Sequence, residues 1–470
     1  MTAAASATSP CASAAAEAPL LVPLEDALLR TDLRLEAALS LLRRAPLALL
    51  RWLASPGREP IVARARAEGA GPEPSLLPLE PALVAYLFDQ HARGRRLILS
   101  VREDLASGRA IADRLGIFEA VREANAESDV AEGARFALVV RSKVDDPRAR
   151  SANGLVVLGS RPPARTRSPV EALLPVEKAG LRRWLEALRL HQWTKNLLVF
   201  LPVVLAGPLS GVSDWVRALV AFLVVGLLAS AGYLVNDLLD LDADRRHESK
   251  CTRPFASGAL PLAAGIASVP ILVGLAAASS TLLPSRFALA AGSYFFATLA
   301  YSFWLKHVAF LDVISLGGLF TVRVIAGAFA IAAPVSYWLL TFSMFLFLSL
   351  AVLKRYAELD RLARRGGTEL VDRGYSTLDL PLLVSLGVAS GVASTVIFVV
   401  YLVTEHFPRA LYSRPGWLWL AFPVLLYWLV RAWRLAVHGR MNEDPVLFAL
   451  RDPVSRAMVV MVLGVLFLAW

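Results

Sequence analysis

Two cysteines, Cys11 and Cys251, stand 240 positions apart with no ligand spacing around them, which excludes a disulfide framework and a zinc site. Lysine is scarce, six of the 49 basic residues, and charged residues of both signs make up only 19%. Soluble chains carry about 25%. No unit of 20–50 residues recurs, which argues against solenoids and propellers. The start lacks a basic n-region, so no cleavable signal peptide is expected. What is abundant is apolar: 56% hydrophobic residues and a mean hydropathy of +0.54 exclude disorder and collagen and point to lipid as a solvent.

The apolar excess is uneven. Up to Glu171 there are 23 basic and 21 acidic residues and no long apolar run, whereas 26 basic and 18 acidic residues follow, clustered between apolar stretches. Nine stretches have the length of membrane spans, about 17–25 residues: 196–211, 215–235, 262–283, 287–305, 308–332, 335–353, 381–404, 416–436 and 454–470. Their basic flanks alternate, rich around Arg245, Lys306, Lys354 and Arg434 and poor around Arg217 and Arg286. The positive-inside rule then places the N-terminal half in the cytoplasm and the C-terminus outside. The net charge of +10 is therefore a matter of topology, and no nucleic-acid partner is expected.

The second stretch ends in Asn236-Asp237-x-x-Asp240-x-x-x-Asp244. On a helix this spacing stacks four oxygen-bearing side chains on one face. Such a cluster at a membrane boundary is costly unless a cation sits among it, and oxygen-only ligands suit Mg²⁺ shared with substrate phosphates. The bland alternative is an acidic turn paired with Arg245, Arg246 and Arg253. The pattern resembles the first aspartate-rich motif of the UbiA superfamily of intramembrane transferases. Lys250 to Gly258 is similar to that family's K-x-x-R-P-x-x-x-G segment, and Tyr301 to Lys306 to its Y-x-x-x-L-K motif. The resemblance covers residues 182–470. It implies an all-α bundle of about nine transmembrane helices in a bacterial plasma membrane, with a cavity open to the cytoplasm and to lipid. It also implies Asp237, Asp240 and Asp244 as catalytic metal ligands for Mg²⁺, with Asn236, Lys250, Arg253, Tyr301 and Lys306 binding substrate.

Members of the family that prenylate aromatic acceptors carry a second aspartate cluster between spans six and seven. Here that place reads Lys354-Arg355-Tyr356-Ala357-Glu358. Thinned acidity and an added cation pair suit an anionic acceptor. An anchor to anionic lipid is the plain alternative. Together with the segment from Arg189 to Asn196, which includes Lys195, these residues resemble the branch that moves 5-phosphoribose from phosphoribosyl diphosphate to a polyprenyl phosphate. Two further charges, Asp312 and Arg323, lie eleven apart in the fifth stretch and so near one face. Charges at that depth face a cavity or pair with each other. Asp312 is expected to join the phosphate site; for Arg323 substrate contact and a structural bridge stay open. Rival readings are prenyl transfer to an aromatic or other small acceptor, an ion-coupled transporter and a non-catalytic scaffold. The partners expected are a polyprenyl lipid, a diphosphate-bearing donor and membrane lipid.

The N-terminal part reads as α/β, with strands expected at 20–24, 97–100, 136–140 and 155–158 and helices at 32–54 and 104–115. Residues 22–32 resemble the D-x-D-G-T-L motif of haloacid-dehalogenase (HAD) phosphatases, but Pro23 holds the nucleophile position and Glu25 the acid/base position. Proline cannot attack phosphorus. Ser100 matches the phosphate-binding Ser/Thr, and the stretch from Arg141 to Asp145 the acidic fourth motif. The organisation expected is a tail over 1–19, a degenerate HAD-like α/β domain over 20–170, a linker over 171–181 and the membrane transferase over 182–470.

Overall fold

The structure is a computed structural model that describes residues 18–55, 59–124, 135–142, 146–161, 168–176, 179–207, 210–370, 373–406, 412–441, 448–449 and 451–469. The chain forms two compact units. One runs up to residue 188 and takes in residues 234–268; the other comprises 189–233 and 269–470.

The first unit is built on a six-stranded sheet, β1 (Leu20–Pro23), β2 (Leu97–Val101), β3 (Ala120–Glu123), β4 (Ala137–Arg141), β5 (Gly154–Leu158) and β6 (Val170–Leu174). The order is β3-β2-β1-β4-β5-β6 and every pairing is parallel. Strands buried on both faces read as unbroken apolar runs, and β1, β2 and β5 are buried throughout. Alternate residues serve opposite cores: Leu20, Val22, Leu97, Leu99 and Val139 on one face, Leu21, Ile98, Leu138 and Val140 on the other. The four expected strands form at the expected places. The sequence reading did not include β3 and β6, which lie at the two edges and are half exposed. Because β6 pairs with β5, the sheet continues into the stretch read as the start of the linker. The helical run expected at 32–54 divides into Leu33–Arg44 and Pro46–Ala54. Pro46 removes a donor and opens the second helix, while Asp32 caps the first by accepting from the N–H groups of Arg34 and Leu35.

Residues 234–268 carry the end of the helix Val212–Leu239, the short helix Leu241–Arg246 and the start of Leu262–Ser280. The second unit is helical. Among the described residues six helices are long and apolar enough to cross a membrane: Val212–Leu239, Leu262–Ser280, Leu311–Ala330, Tyr337–Arg364, Thr377–Glu405 and Pro415–Val437. The other three expected spans are also helical but fall short of that measure, so six of the nine expected spans meet it among the described residues. Ser285–Phe303 is diluted by Arg286, serine, tyrosine and glycine; Pro453–Ala469 has 17 residues; and Leu190–Ala206 divides into a tight helix and a short α-helix around Phe200. Glycines let its backbone approach its neighbours. A Cβ on Gly327 would lie 2.2 Å from the Val199 carbonyl oxygen, and one on Gly226 would lie 2.8 Å from the Trp193 ring.

Candidate functional site

The acidic motif straddles a break in the helix. Asn236 and Asp237 occupy the last turn of Val212–Leu239, Asp240 leaves helical geometry at φ −97°, ψ 18°, and Asp244 lies on Leu241–Arg246. Asp237 and Asp244 are 2% and 3% exposed. Buried carboxylates demand a positive partner. Arg253 supplies it, its Nη1 donating to Asp237 Oδ1 at 3.2 Å and Asp244 Oδ2 at 2.7 Å. Burial pushes the Asp244 carboxyl above the usual carboxylate range, and Arg253 pulls the other way. Asp240 pairs at 3.1 Å with Arg43 of the helix Leu33–Arg44. Among the described residues no three Asp, Glu, His or Cys side chains converge tightly enough to hold an ion; guanidinium groups lie against the carboxylates. The donor set is all oxygen, the chemistry that Mg²⁺ takes. Lys250 sits half-buried in the following turn, Lys250–Thr252.

In the second unit the residues expected near the phosphates form two separate groups. Asp312, fully buried at the start of Leu311–Ala330, pairs with Arg355 at 2.6 Å. Tyr375 donates its hydroxyl to Asp312 at 2.9 Å and accepts from the Phe310 N–H at 2.8 Å. Phe310 itself holds φ +64°, a left-handed conformation unusual for a bulky residue. Burial, with the Asp312 carboxylate beside it, pushes the Tyr375 hydroxyl up. Arg373 lies 3.6 Å from Asp312 and donates to Tyr301 at 2.7 Å, and Arg355 also pairs with Glu358. Asp312 is thus an internal counter-ion that orders Arg355 and Arg373, rather than a carboxylate turned to an open phosphate site. Arg355 is 2% exposed and committed to Asp312 and Glu358, while Lys354 on the same helix is half-buried. Arg373 and Tyr375 were not among the expected site residues. They lie in a short loop hairpin with no periodicity to mark them.

Arg323 belongs to the other group. It donates to Asn196 Oδ1 at 2.9 Å, the Leu319 carbonyl at 2.7 Å and the Tyr294 hydroxyl at 2.8 Å, and stacks over the Tyr294 ring at 4.6 Å. Asp312 and Arg323 therefore do not pair with each other, despite their spacing. Asn196 is 1% exposed, so the two expected substrate contacts pair with each other and tie three helices together. Lys195 beside it is half-buried, and Lys306 is 6% exposed in the turn Leu305–His307.

At the carboxyl ends of the strands the first unit holds a crevice of about 1110 Å³ lined by Glu25, Arg34, Arg102, Arg141 and Gly159 among others. In parallel α/β sheets this is where ligands bind. Here the backbone N–H groups of Arg102 and Glu103 donate to the Glu25 carboxylate at 3.0 and 2.8 Å. Ser100 is buried and accepts from Arg148 at 2.9 Å. Residues 143–145, expected as the acidic fourth motif, lie outside the described residues.

Six helices long and apolar enough to cross a membrane define an integral membrane protein. The family model described as UbiA prenyltransferase family matches residues 197–452. The chain belongs to that family. It is 32% identical to the uncharacterized protein y4nM of Sinorhizobium fredii over 93% of this chain and 88% of that one. It is 33% identical to the nodulation protein NoeC of Azorhizobium caulinodans over 62% of this chain and 95% of that one. It is 34% identical to the decaprenyl-phosphate phosphoribosyltransferase of Mycobacterium tuberculosis over 61% of this chain and 90% of that one. A solved structure of a UbiA homolog from Archaeoglobus fulgidus bound to GPP and Mg2+ matches at 16% identity and a TM-score of 0.47, covering 61% of this chain and 99% of that one.

Proposed function

We propose that this UbiA-family transferase moves 5-phosphoribose from phosphoribosyl diphosphate to a polyprenyl phosphate, at the cytoplasmic side of the membrane. The observation that carries the reading is the pair of cations Arg355 and Arg373 ordered around buried Asp312, with Lys354 next to Arg355 in the chain segment that takes the place of the second aspartate cluster of aromatic prenyltransferases. The similarity to phosphoribosyltransferases over 90% of their length supports it.

Asp237, Asp240 and Asp244 are the residues that would hold Mg²⁺, with Asn236 beside them. Bound with the donor, the ion supplies neutralisation of the diphosphate charge. Arg253, Lys250 and Lys306 bind phosphate oxygens. Lys354 and Arg373 orient the acceptor phosphate, with Arg355, Glu358 and Tyr301 fixing their surroundings; Lys195, Asn196 and Arg323 brace the first helix of the bundle. The anomeric C–O bond to diphosphate breaks and a new C–O bond forms to an acceptor phosphate oxygen. That oxygen is already anionic at neutral pH, so no side chain has to remove a proton. The N-terminal domain is HAD-like and catalytically inactive: Pro23 has no nucleophilic atom, and the Glu25 carboxylate already fills two backbone N–H groups.

The test supplies purified protein and Mg²⁺ with labelled phosphoribosyl diphosphate plus polyprenyl phosphate, or with a prenyl diphosphate plus aromatic acceptors. Label enters the lipid fraction in the first assay and is lost in Asp240→Ala. Transfer in the second assay alone would overturn the choice of donor. Phosphate release from a phosphomonoester by the full chain, surviving in Asp240→Ala, would overturn the inactivity of the N-terminal domain.

A further inference from the structure

The helix Leu33–Arg44 presents Glu36, Arg43 and Arg44 along one side, since residues three, four, seven and eight apart share a face. Arg43 meets Asp240 of the motif itself, while Glu36 and Arg44 meet its neighbours Arg245 and Asp242. Arg245 donates Nη1 to Glu36 at 2.9 Å and contacts it through Nη2 as well, with both side chains at most 5% exposed. Arg44 pairs with Asp242 at 2.9 Å, and Arg246 pairs with Glu73. Thr31 adds a hydroxyl donated to Glu36 at 2.6 Å. A small crevice of about 20 Å³ lies among these residues, lined by Glu36, Ser40, Arg43, Leu239 and Asp242 among others.

The contact of Arg43 differs from the rest because it falls on the break itself. The helix Val212–Leu239 ends with carbonyls that have no donor of its own. One nitrogen of Arg43, Nη1, donates to the Leu239 carbonyl at 3.1 Å and lies 3.1 Å from Asp240 Oδ1. A single guanidinium therefore fixes both the backbone where the helix stops and the carboxylate that follows. Arg43 and Arg44 occupy the last turn of their own helix, where the macrodipole favours cations.

We propose that Arg43 is a positioning residue for Asp240, so that the N-terminal domain, without chemistry of its own, clamps that carboxylate at the break in the helix. This rests on the reading of Asp240 as a metal ligand. Partners that orient a ligand from outside are worth about 10–100-fold in metal affinity or activity when removed. The proposal gives the domain a task that needs no active site: its helix is a bracket for the transferase.

The experiment titrates Mn²⁺ against the detergent-solubilised full chain and reads the free-ion signal by electron paramagnetic resonance, which needs no substrate. Arg43→Ala weakens Mn²⁺ binding by about 10–100-fold, as expected for an outer partner of a ligand. Arg43→Lys recovers part of the loss, because an ammonium keeps the charge without the planar fork. Arg44→Ala stays within about twofold, since Asp242 is not a ligand in this reading. Where Arg43→Ala fails to fold, Arg43→Gln carries the same expectation. Unchanged or tighter binding in the Arg43 variants, with Asp240→Ala binding weakly, overturns the clamp alone; tighter binding would mean that the guanidinium merely competes for the carboxylate. Unchanged binding in Asp240→Ala overturns the metal reading and the clamp together. Mn²⁺ shifts as expected without phosphoribosyl transfer leave the clamp standing and overturn only the choice of substrate.

Discussion

Removing Asp312 tests the cation cluster most directly. Asp312 has no exposed surface and Arg355 has 2%, so Asp312→Ala strands a guanidinium away from water. Breaking a buried ion pair by deleting one partner costs about 3–5 kcal/mol. The low end applies here, because Arg355 keeps Glu358, Arg373 keeps the Tyr301 hydroxyl, and the Tyr375 hydroxyl keeps the Phe310 N–H. A loss of about 3 kcal/mol at about 2–4 °C per kcal/mol for a body of this size lowers Tm by about 6–12 °C. The assay is a thermal ramp of the detergent-solubilised protein followed by tryptophan fluorescence. The comparison variant is Asp360→Ala, whose partner Arg364 is 58% exposed at 2.8 Å on the same helix as Arg355. Exposed pairs of that kind contribute little, so its Tm stays at the wild-type value. An Asp312→Ala protein melting within 2 °C of wild type, or an equal drop in Asp360→Ala, would refute the reasoning that Asp312 is the cluster's counter-ion.

Three further outcomes follow from the packing. Arg323→Ala leaves Asn196 and Tyr294 without their buried donor and costs about 2–4 kcal/mol in stability, while the donor KM of the folded fraction is unchanged; a raised KM with normal Tm would instead make Arg323 a substrate contact. Gly226→Ala drives a methyl to 2.8 Å from the Trp193 ring, and such overpacking costs about 1–3 kcal/mol, visible as a lower Tm that Trp193→Leu relieves in the double variant. Burial raises the Glu25 carboxyl above its ordinary 4.5, so the folded state holds that proton more tightly than the unfolded one. Its charge therefore costs stability progressively as the pH climbs past 4.5. The Tm difference between Glu25→Gln and wild type shifts in favour of the variant over that rise, and a pH-independent difference would contradict the burial argument.

The apolar runs that form β1, β2, β4 and β5 announced themselves because a strand buried on both faces must be apolar along its whole length, while the half-exposed edge strands β3 and β6 carry no such constraint. The spans were legible for the same reason: lipid demands about twenty apolar residues whatever the packing. The break at Pro46 and the stacked oxygens of Asn236, Asp237, Asp240 and Asp244 are likewise local, set by ring chemistry and helical spacing. Membership of a membrane transferase family and its acidic motif thus rest on the sequence alone. The partners of the charges rest on tertiary structure. Arg43 meets Asp240 across 197 positions, Arg245 meets Glu36 across 209, and Arg323 meets Asn196 across 127. No periodicity links such residues, and the eleven-residue spacing of Asp312 and Arg323 is outweighed by nearer partners on other elements. A buried charge takes whichever counter-charge the packing brings within about 3 Å, and only the folded chain decides which one that is.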